Sequence, residues 1–204
     1  GPPEKPAQNL SCFTDNLETL TCSWEPGPDT GLPTNYTLFY RLSSLDKIKE
    51  CPLYLSAGLG RSRCHIPDDL SSTSPYTVSV TATNPLGSSS SSDLTFDLTD
   101  IVKPDPPLNL TVSISSESGR LKLSWEPPSS WPSYFDLKYE VRYRPENDSW
   151  EDWKVVELDS TSFTLSDLEP GTSYEVRVRA RPDSGSGTWS EWSPPASFTI
   201  PEGE

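Results

Sequence analysis

Two neighbouring stretches decide the fold: Tyr174-Glu175-Val176-Arg177-Val178-Arg179-Ala180-Arg181 and, shortly after it, Trp189-Ser190-Glu191-Trp192-Ser193. The first alternates strictly. As a strand it turns Tyr174, Val176, Val178 and Ala180 to one face and Arg177, Arg179 and Arg181 to the other. Three guanidinium groups in a row repel one another, and the second stretch offers two indoles, the best aromatic faces for a cation. Its period is three. A regular strand would point Trp189 and Trp192 to opposite faces, whereas a polyproline-II-like course puts both on one face and Ser190 and Ser193 on another. The expectation is a ladder of interleaved arginines and tryptophans, with the serines bonding the neighbouring backbone.

Working outward, the chain repeats itself with a period of about one hundred residues. Pro6-Ala7-Gln8-Asn9-Leu10 is echoed by Pro106-Pro107-Leu108-Asn109-Leu110, and Ser23-Trp24-Glu25-Pro26 by Ser124-Trp125-Glu126-Pro127. Tyr36-Thr37-Leu38-Phe39-Tyr40-Arg41 answers Tyr139-Glu140-Val141-Arg142-Tyr143-Arg144, which adds Arg142 and Arg144 to the expected ladder. Tyr76, Val78, Val80 and Ala82 match Tyr174, Val176, Val178 and Ala180.

Two all-β domains follow, residues 1–100 and 101–204, each a sandwich of about seven short strands. The first predicts strands near 8–13, 18–25, 35–42, 48–54, 62–66, 75–83 and 92–98. The second predicts them near 108–114, 119–126, 137–144, 152–158, 162–166, 173–181 and 195–200. Trp24 and Trp125 each close a strand just before Pro and read as core. Leu168 to Tyr174, and Leu70 to Tyr76, have the interval of a tyrosine corner. Between the units, Leu98, Ile101 and Val102 are apolar and Pro104, Pro106 and Pro107 stiffen the chain, so the linker reads as a rigid elbow. Ser88 to Ser92 reads as a solvated turn and strand edge.

Composition bounds the function. Thirty acidic against sixteen basic residues give a net charge of −14, which disfavours nucleic acid. No stretch approaches the 18 apolar residues of a membrane span, so any membrane anchor is expected outside this chain. One His, no Gly-rich phosphate loop and no nucleophile elbow leave no catalytic residues or cofactor to propose, and the chain does not read as an enzyme. Four cysteines, Cys12, Cys22, Cys51 and Cys64, sit in the first third beside four sequons, at Asn9, Asn35, Asn109 and Asn147. Together they indicate an oxidising, extracellular or cell-surface setting with glycosylation at those asparagines. Three cysteine pairings are open; the sequential one, Cys12–Cys22 and Cys51–Cys64, closes two short loops and is the most economical. A metal is not expected, because no Cys-x-x-Cys spacing occurs and the single His65 adjoins Cys64.

Paired cysteines in the first half, a Pro-rich linker and Trp-Ser-x-Trp-Ser in the second resemble the cytokine-receptor homology module of class I cytokine receptors. The resemblance covers essentially the whole chain. Gly31 to Tyr36, Glu50-Cys51-Pro52 and Val102 to Leu108 are most similar to the prolactin-receptor branch. Ser130-Trp131-Pro132 and Gly187 to Ser190 look more like the ciliary neurotrophic factor receptor group. The resemblance implies two fibronectin type III domains, a four-helix cytokine or hormone docked at loops of the elbow, and receptor dimerisation. It would carry ligand contact to 68–74, 43–49, 131–135 and 183–187, with Ser72, Thr73, Trp131, Tyr134, Phe135 and Asp183 as the contacting residues. Prolactin-like receptors have a Trp where this chain has Ser72 and Thr73, and an Asp-His pair where it has Asp183-Ser184. No zinc bridge is therefore expected, and half of the usual aromatic anchor is absent. With no Met and Ser-rich loops, the chain also fits a consensus or engineered module that binds little or no ligand. A generic fibronectin-type adhesion protein would carry no cysteines and often an Arg-Gly-Asp, which is missing here.

Overall fold

A computed structural model describes residues 1–3, 6–43, 46–55, 62–67, 70–71, 73–114, 119–148 and 153–202. They fall into two compact units, Gly1–Val102 and Lys103–Glu204. The division comes two residues later than the repeat suggests, for a physical reason. Ile101 accepts a hydrogen bond from the Thr14 backbone N–H, Val102 forms a parallel bridge with Thr14, and Val102 is fully buried in unit 1.

Unit 1 holds β1 (Gln8–Thr14), β2 (Leu20–Glu25), β3 (Asn35–Leu42), β4 (Lys49–Glu50), β5 (Leu53–Leu55), β6 (Arg63–Ile66), β7 (Tyr76–Asn84), β8 (Gly87–Ser90) and β9 (Leu94–Phe96). One sheet has the order β1-β2-β6-β5; the other runs β4-β3-β7-β8, with β9 also on β7. Unit 2 holds β10 (Leu108–Ile114), β11 (Leu121–Glu126), β12 (Leu137–Pro145), β13 (Lys154–Leu158), β14 (Ser162–Leu165), β15 (Ser173–Pro182) and β16 (Ala196–Thr199). Its sheets are β10-β11-β14 and β13-β12-β15-β16. All strand pairs are antiparallel, so each is a sandwich whose inner faces alternate with outer ones.

The expected single strand over 48–54 is two. Lys49–Glu50 pairs with β3, whereas Leu53–Leu55 pairs with β6 in the opposite sheet. The change of sheet comes at Cys51-Pro52, where Pro has no N–H for a ladder and the Cys51 N–H bonds the Leu38 carbonyl. Likewise the Ser-rich tract, read as a solvated turn and edge, forms part of β8, with Thr81 opposite Ser90 and Thr83 opposite Ser88. The expected strand over 92–98 is shorter, Leu94–Phe96.

The repeat extends to the irregularities. β1 and β10 are bulged at matching places, and Asn9 and Asn109 there adopt left-handed φ values of 54° and 53°. Each side-chain amide donates to the glutamate that follows the buried Trp: Asn9 to Glu25 at 2.9 Å and Asn109 to Glu126 at 2.8 Å. Trp24 and Trp125 lie in the two cores, the latter edge-on to Tyr139 at 5.5 Å. Burial pushes the Tyr139 phenol up to about 12. At the sheet edges, Ser71 N–H donates to the Tyr76 hydroxyl and Glu169 N–H to that of Tyr174, five residues apart in both. Two disulfides, Cys12–Cys22 and Cys51–Cys64, lie in unit 1. The first joins directly opposed residues of β1 and β2, and the second ties the sheet-switching bend to β6.

Candidate ligand surface and the arginine–tryptophan ladder

Strand β15 is the centre of unit 2. Its inner residues Tyr174, Val176, Val178 and Ala180 are buried, and its outer ones are half-exposed. Along one edge β12 pairs with it over nine positions, from Leu137–Pro182 to Pro145–Tyr174. Along the other edge β16 covers only Ser173 to Val176. The remaining edge would be left open, and the Trp-Ser-Glu-Trp-Ser segment closes it. Ser193 N–H donates to the Val178 carbonyl at 2.8 Å, while the Val178 N–H donates to the Ser193 hydroxyl at 3.0 Å. Ser190 does the same with Ala180, at 2.7 and 2.9 Å. Each serine thus supplies both the donor and the acceptor that a paired strand residue would, which satisfies an edge that otherwise exposes orphan backbone groups. Both serines are buried.

The third face of the segment carries the indoles over the arginines. Arg181 lies 5.4 Å from the Trp189 ring centroid and Arg179 lies 4.6 Å from it on the other side. Arg179 also sits 4.5 Å from Trp192, which Arg142 of β12 approaches at 5.7 Å. The stack then runs on through Trp153, with Arg142 at 4.6 Å and Arg144 at 4.8 Å. In order the layers are Arg181, Trp189, Arg179, Trp192, Arg142, Trp153 and Arg144. Carboxylates bind its flanks: Glu140 takes Arg179 at 2.8 Å, and Glu175 takes Arg177 at 3.0 Å and Arg144 at 3.6 Å. Arg177 stands directly across from Arg142 in the register, a like-charge pair that Glu175 offsets.

Sequence reasoning missed three participants. Trp153 precedes β13, whose register sets Val155 against Arg142 and Lys154 against Tyr143; one step further on lies Arg144. Without that register Trp153 is only one member of Trp150-Glu151-Asp152-Trp153, of which 150–152 lie outside the described residues. Glu140 and Glu175 alternate in phase with the arginines of their own strands, and that phase was a usable signal. At the segment's exposed centre, Lys103 bonds Glu191 at 2.5 Å, and that hydrogen bond and charge hold the Glu191 carboxyl below its ordinary range.

The ladder ends at a loop. The Arg181 guanidinium donates to the carbonyls of Gly185 and Gly187, and both glycines have positive φ, 81° and 75°. Asp183, exposed, donates its backbone N–H to the Asp136 carbonyl at 3.0 Å, so the 183–187 loop lies beside the 131–136 loop. There Tyr134 is 73% exposed, against the half-buried Phe135 at 4.9 Å between ring centroids. Trp131 differs from the ligand-contacting role that the resemblance implies. It is buried at 9% exposure and its indole N–H donates to the Phe135 carbonyl at 2.8 Å, so it braces the loop from within. Of the unit 1 positions, Ser72 lies outside the described residues. Thr73 is exposed and offers only hydroxyl chemistry beside Ser71, at 3.1 Å. Ile48, 65% exposed, is the large apolar side chain among the described residues of the 43–49 segment. Asn9, Asn35, Asn109 and Asn147 are all exposed. Among the described residues no cluster of metal-ligating side chains occurs, and no helix is long and apolar enough to cross a membrane.

Comparison with known proteins agrees with this architecture. Residues 9–101 match the family described as "Interleukin-6 receptor alpha chain, binding", and residues 105–196 match the fibronectin type III domain. Human (Homo sapiens) cytokine receptor-like factor 1 is 42% identical over the whole chain, which spans 50% of that protein. Sheep (Ovis aries) prolactin receptor is 41% identical over 98% of the chain, which spans 35% of it. The chain therefore covers half or less of the length of these relatives. Among solved structures, a chain described as "Cytokine receptor complex - Crystal form 2" superposes with a TM-score of 0.72 at 25% identity, covering 91% of this chain and 100% of its own. A second form of that complex gives a TM-score of 0.73 at 24% identity, covering 94% and 96%.

Proposed function

The chain belongs to the cytokine-receptor family, and on that footing we propose that it is an extracellular, non-enzymatic module that binds a four-helix cytokine. The carrying observation is Tyr134: a large aromatic held out into solvent on a loop braced by a buried indole and by Asp183 of the adjoining loop. Interface energy concentrates in a few such anchors, Tyr, Trp and Arg above all, when they can be desolvated in a partner's pocket. A loop fixed beforehand also loses less entropy on binding. Ile48, exposed in unit 1, is the apolar side chain suited to a second set of contacts.

The alternative of a folded module with blank recognition loops draws on Thr73, where only hydroxyls are offered. A panel of four-helix cytokines passed over the immobilised chain separates the two. At least one is expected to bind, and Tyr134→Ala should weaken that binding by roughly 30-fold, the effect of losing ~2 kcal/mol at a hot spot. Failure of every member to bind a chain that melts cooperatively would establish the blank module instead.

A further inference from the structure

The outer face that carries the ladder in unit 2 has another chemistry in unit 1. Under the repeat, Arg142 becomes Phe39, Arg177 becomes Ser79 and Arg179 becomes Thr81. On β3, Tyr36 and Leu38 fill the core, so Asn35, Thr37, Phe39 and Arg41 share the outer face. The register sets Thr37 beside Thr81 and Phe39 beside Ser79, and β8 adds Ser90, whose hydroxyl lies 2.8 Å from that of Thr81. The outcome is a set of hydroxyls beside the half-buried Phe39 ring; Thr77, Ser79, Thr81 and Ser90 line a groove of about 380 Å³ together with Phe39 and Tyr40, the charged Arg41 and Asp93, and the exposed Ile48. Asn35 is exposed at the start of that same face, four residues from Phe39, or roughly 13 Å along the strand. It is the acceptor of Asn35-Tyr36-Thr37.

We propose that an N-glycan on Asn35 lies down along this face and covers Phe39, so that a sugar closes in unit 1 the surface that tryptophans close in unit 2. An N-acetylglucosamine ring presents C–H groups on its faces and a rim of hydroxyl and acetamido groups. The first match the Phe39 ring, and the second match Thr37, Thr81, Ser79 and Ser90, which both donate and accept. Attachment at Asn35 leaves the inner sugars little to lose in translational freedom, so weak contacts suffice to hold them. The charges that border the groove, Arg41 and Asp93, are opposite in sign and give it no net charge to favour a charged partner. The inference rests on the chain passing through a secretory pathway; it does not depend on any cytokine binding.

The test uses the whole chain secreted from mammalian cells. Glycopeptide mass spectrometry should find Asn35 occupied. Enzymatic release of that glycan from the native protein by peptide N-glycosidase should speed up by about tenfold in Phe39→Leu, which keeps the sequon and an apolar side chain but loses the ring. The acetamido methyl resonance of a sugar over Phe39 should be shifted by the ring current, and the shift should vanish in the same variant. Thr81→Val, a second variant that keeps the shape of the strand, should accelerate release in the same direction. An unoccupied Asn35, a release rate that neither variant changes, or a self-association that Phe39→Leu abolishes would overturn the proposal.

Discussion

Trp192→Ala is expected to lower the melting transition of unit 2 by roughly 10–20 °C while leaving the transition of unit 1 in place. Trp192 is the layer between Arg179 and Arg142, the point at which the ladder passes from β15 to β12. Its removal takes away two cation–π contacts and a half-buried indole, about 3 kcal/mol together. In a domain of this size each kcal/mol displaces the midpoint by ~4–8 °C. The guanidinium groups of Arg179 and Arg142 would also lose the indole between them. Scanning calorimetry measures this directly, and Trp192→Phe should fall between the two, since Trp is the better face for a cation. A midpoint unmoved in Trp192→Ala would show that the stack is ornamental. In Glu191→Ala, by contrast, the transition should stay where it is, because the Glu191 carboxylate is exposed and its ion-pair partner is the likewise solvent-facing Lys103.

The second large effect belongs to unit 1. Cys51→Ala with Cys64→Ala should destabilise it by about 3 kcal/mol, the usual consequence of opening a loop of this length. The bridge holds the point at which the chain changes sheet, where Pro52 interrupts the ladder and Leu53–Leu55 depends on β6 for pairing. Calorimetry should show the unit 1 transition falling by roughly 10–20 °C with unit 2 unmoved. Equal displacement of both transitions would contradict the division of the chain into separately stabilised units.

How far the sequence revealed this can be traced residue by residue. Alternation in Tyr174 to Arg181 dictates which side chains go in, and Val176, Val178 and Ala180 are buried with the arginines opposite. Such patterns are local, and so legible. The period-three spacing of Trp189 and Trp192 separates indoles from serines, a distinction as local as the alternation; the indoles lie over arginines and the serines bond the β15 backbone. Trp153 was hidden because its place depends on the register of β12 with β13, a non-local quantity that no short pattern encodes. The break at Cys51-Pro52 was hidden for a related reason: an alternating run can serve two sheets in succession, and only the pairing partners tell which. Trp131 misled because residue type says nothing about exposure; the aromatic that reaches solvent is its neighbour Tyr134. The matching glutamates Glu25 and Glu126 were visible in the repeat, but their bonds to Asn9 and Asn109 depend on a left-handed backbone that the letters do not announce.

The Ser-rich tract of unit 1 clarifies the Trp-Ser-Glu-Trp-Ser segment by contrast. Ser91 exchanges hydrogen bonds with Val80, its N–H donating to the carbonyl at 2.8 Å and its hydroxyl accepting from the Val80 N–H at 2.9 Å, as Ser193 does with Val178. Immediately before that serine unit 1 runs as the ordinary strand β8, Gly87–Ser90, whereas unit 2 lays down the tryptophans. The serine bond is thus common to both sandwiches, and the ladder is an addition to one of them. That is the pattern of a stabilising part of the scaffold, and under the proposed function recognition falls to the loops at its end.

Hydrogen exchange of the chain, free and with the cytokine that the binding panel identifies, tests this separation most directly. Ser190 and Ser193 amides already donate to Ala180 and Val178, so they should exchange slowly and equally in both states. New protection on binding should fall at residues 131–136 and 183–187. Protection that appears instead at 189–193, with none at 131–136, would make the tryptophan segment the binding surface and contradict the account.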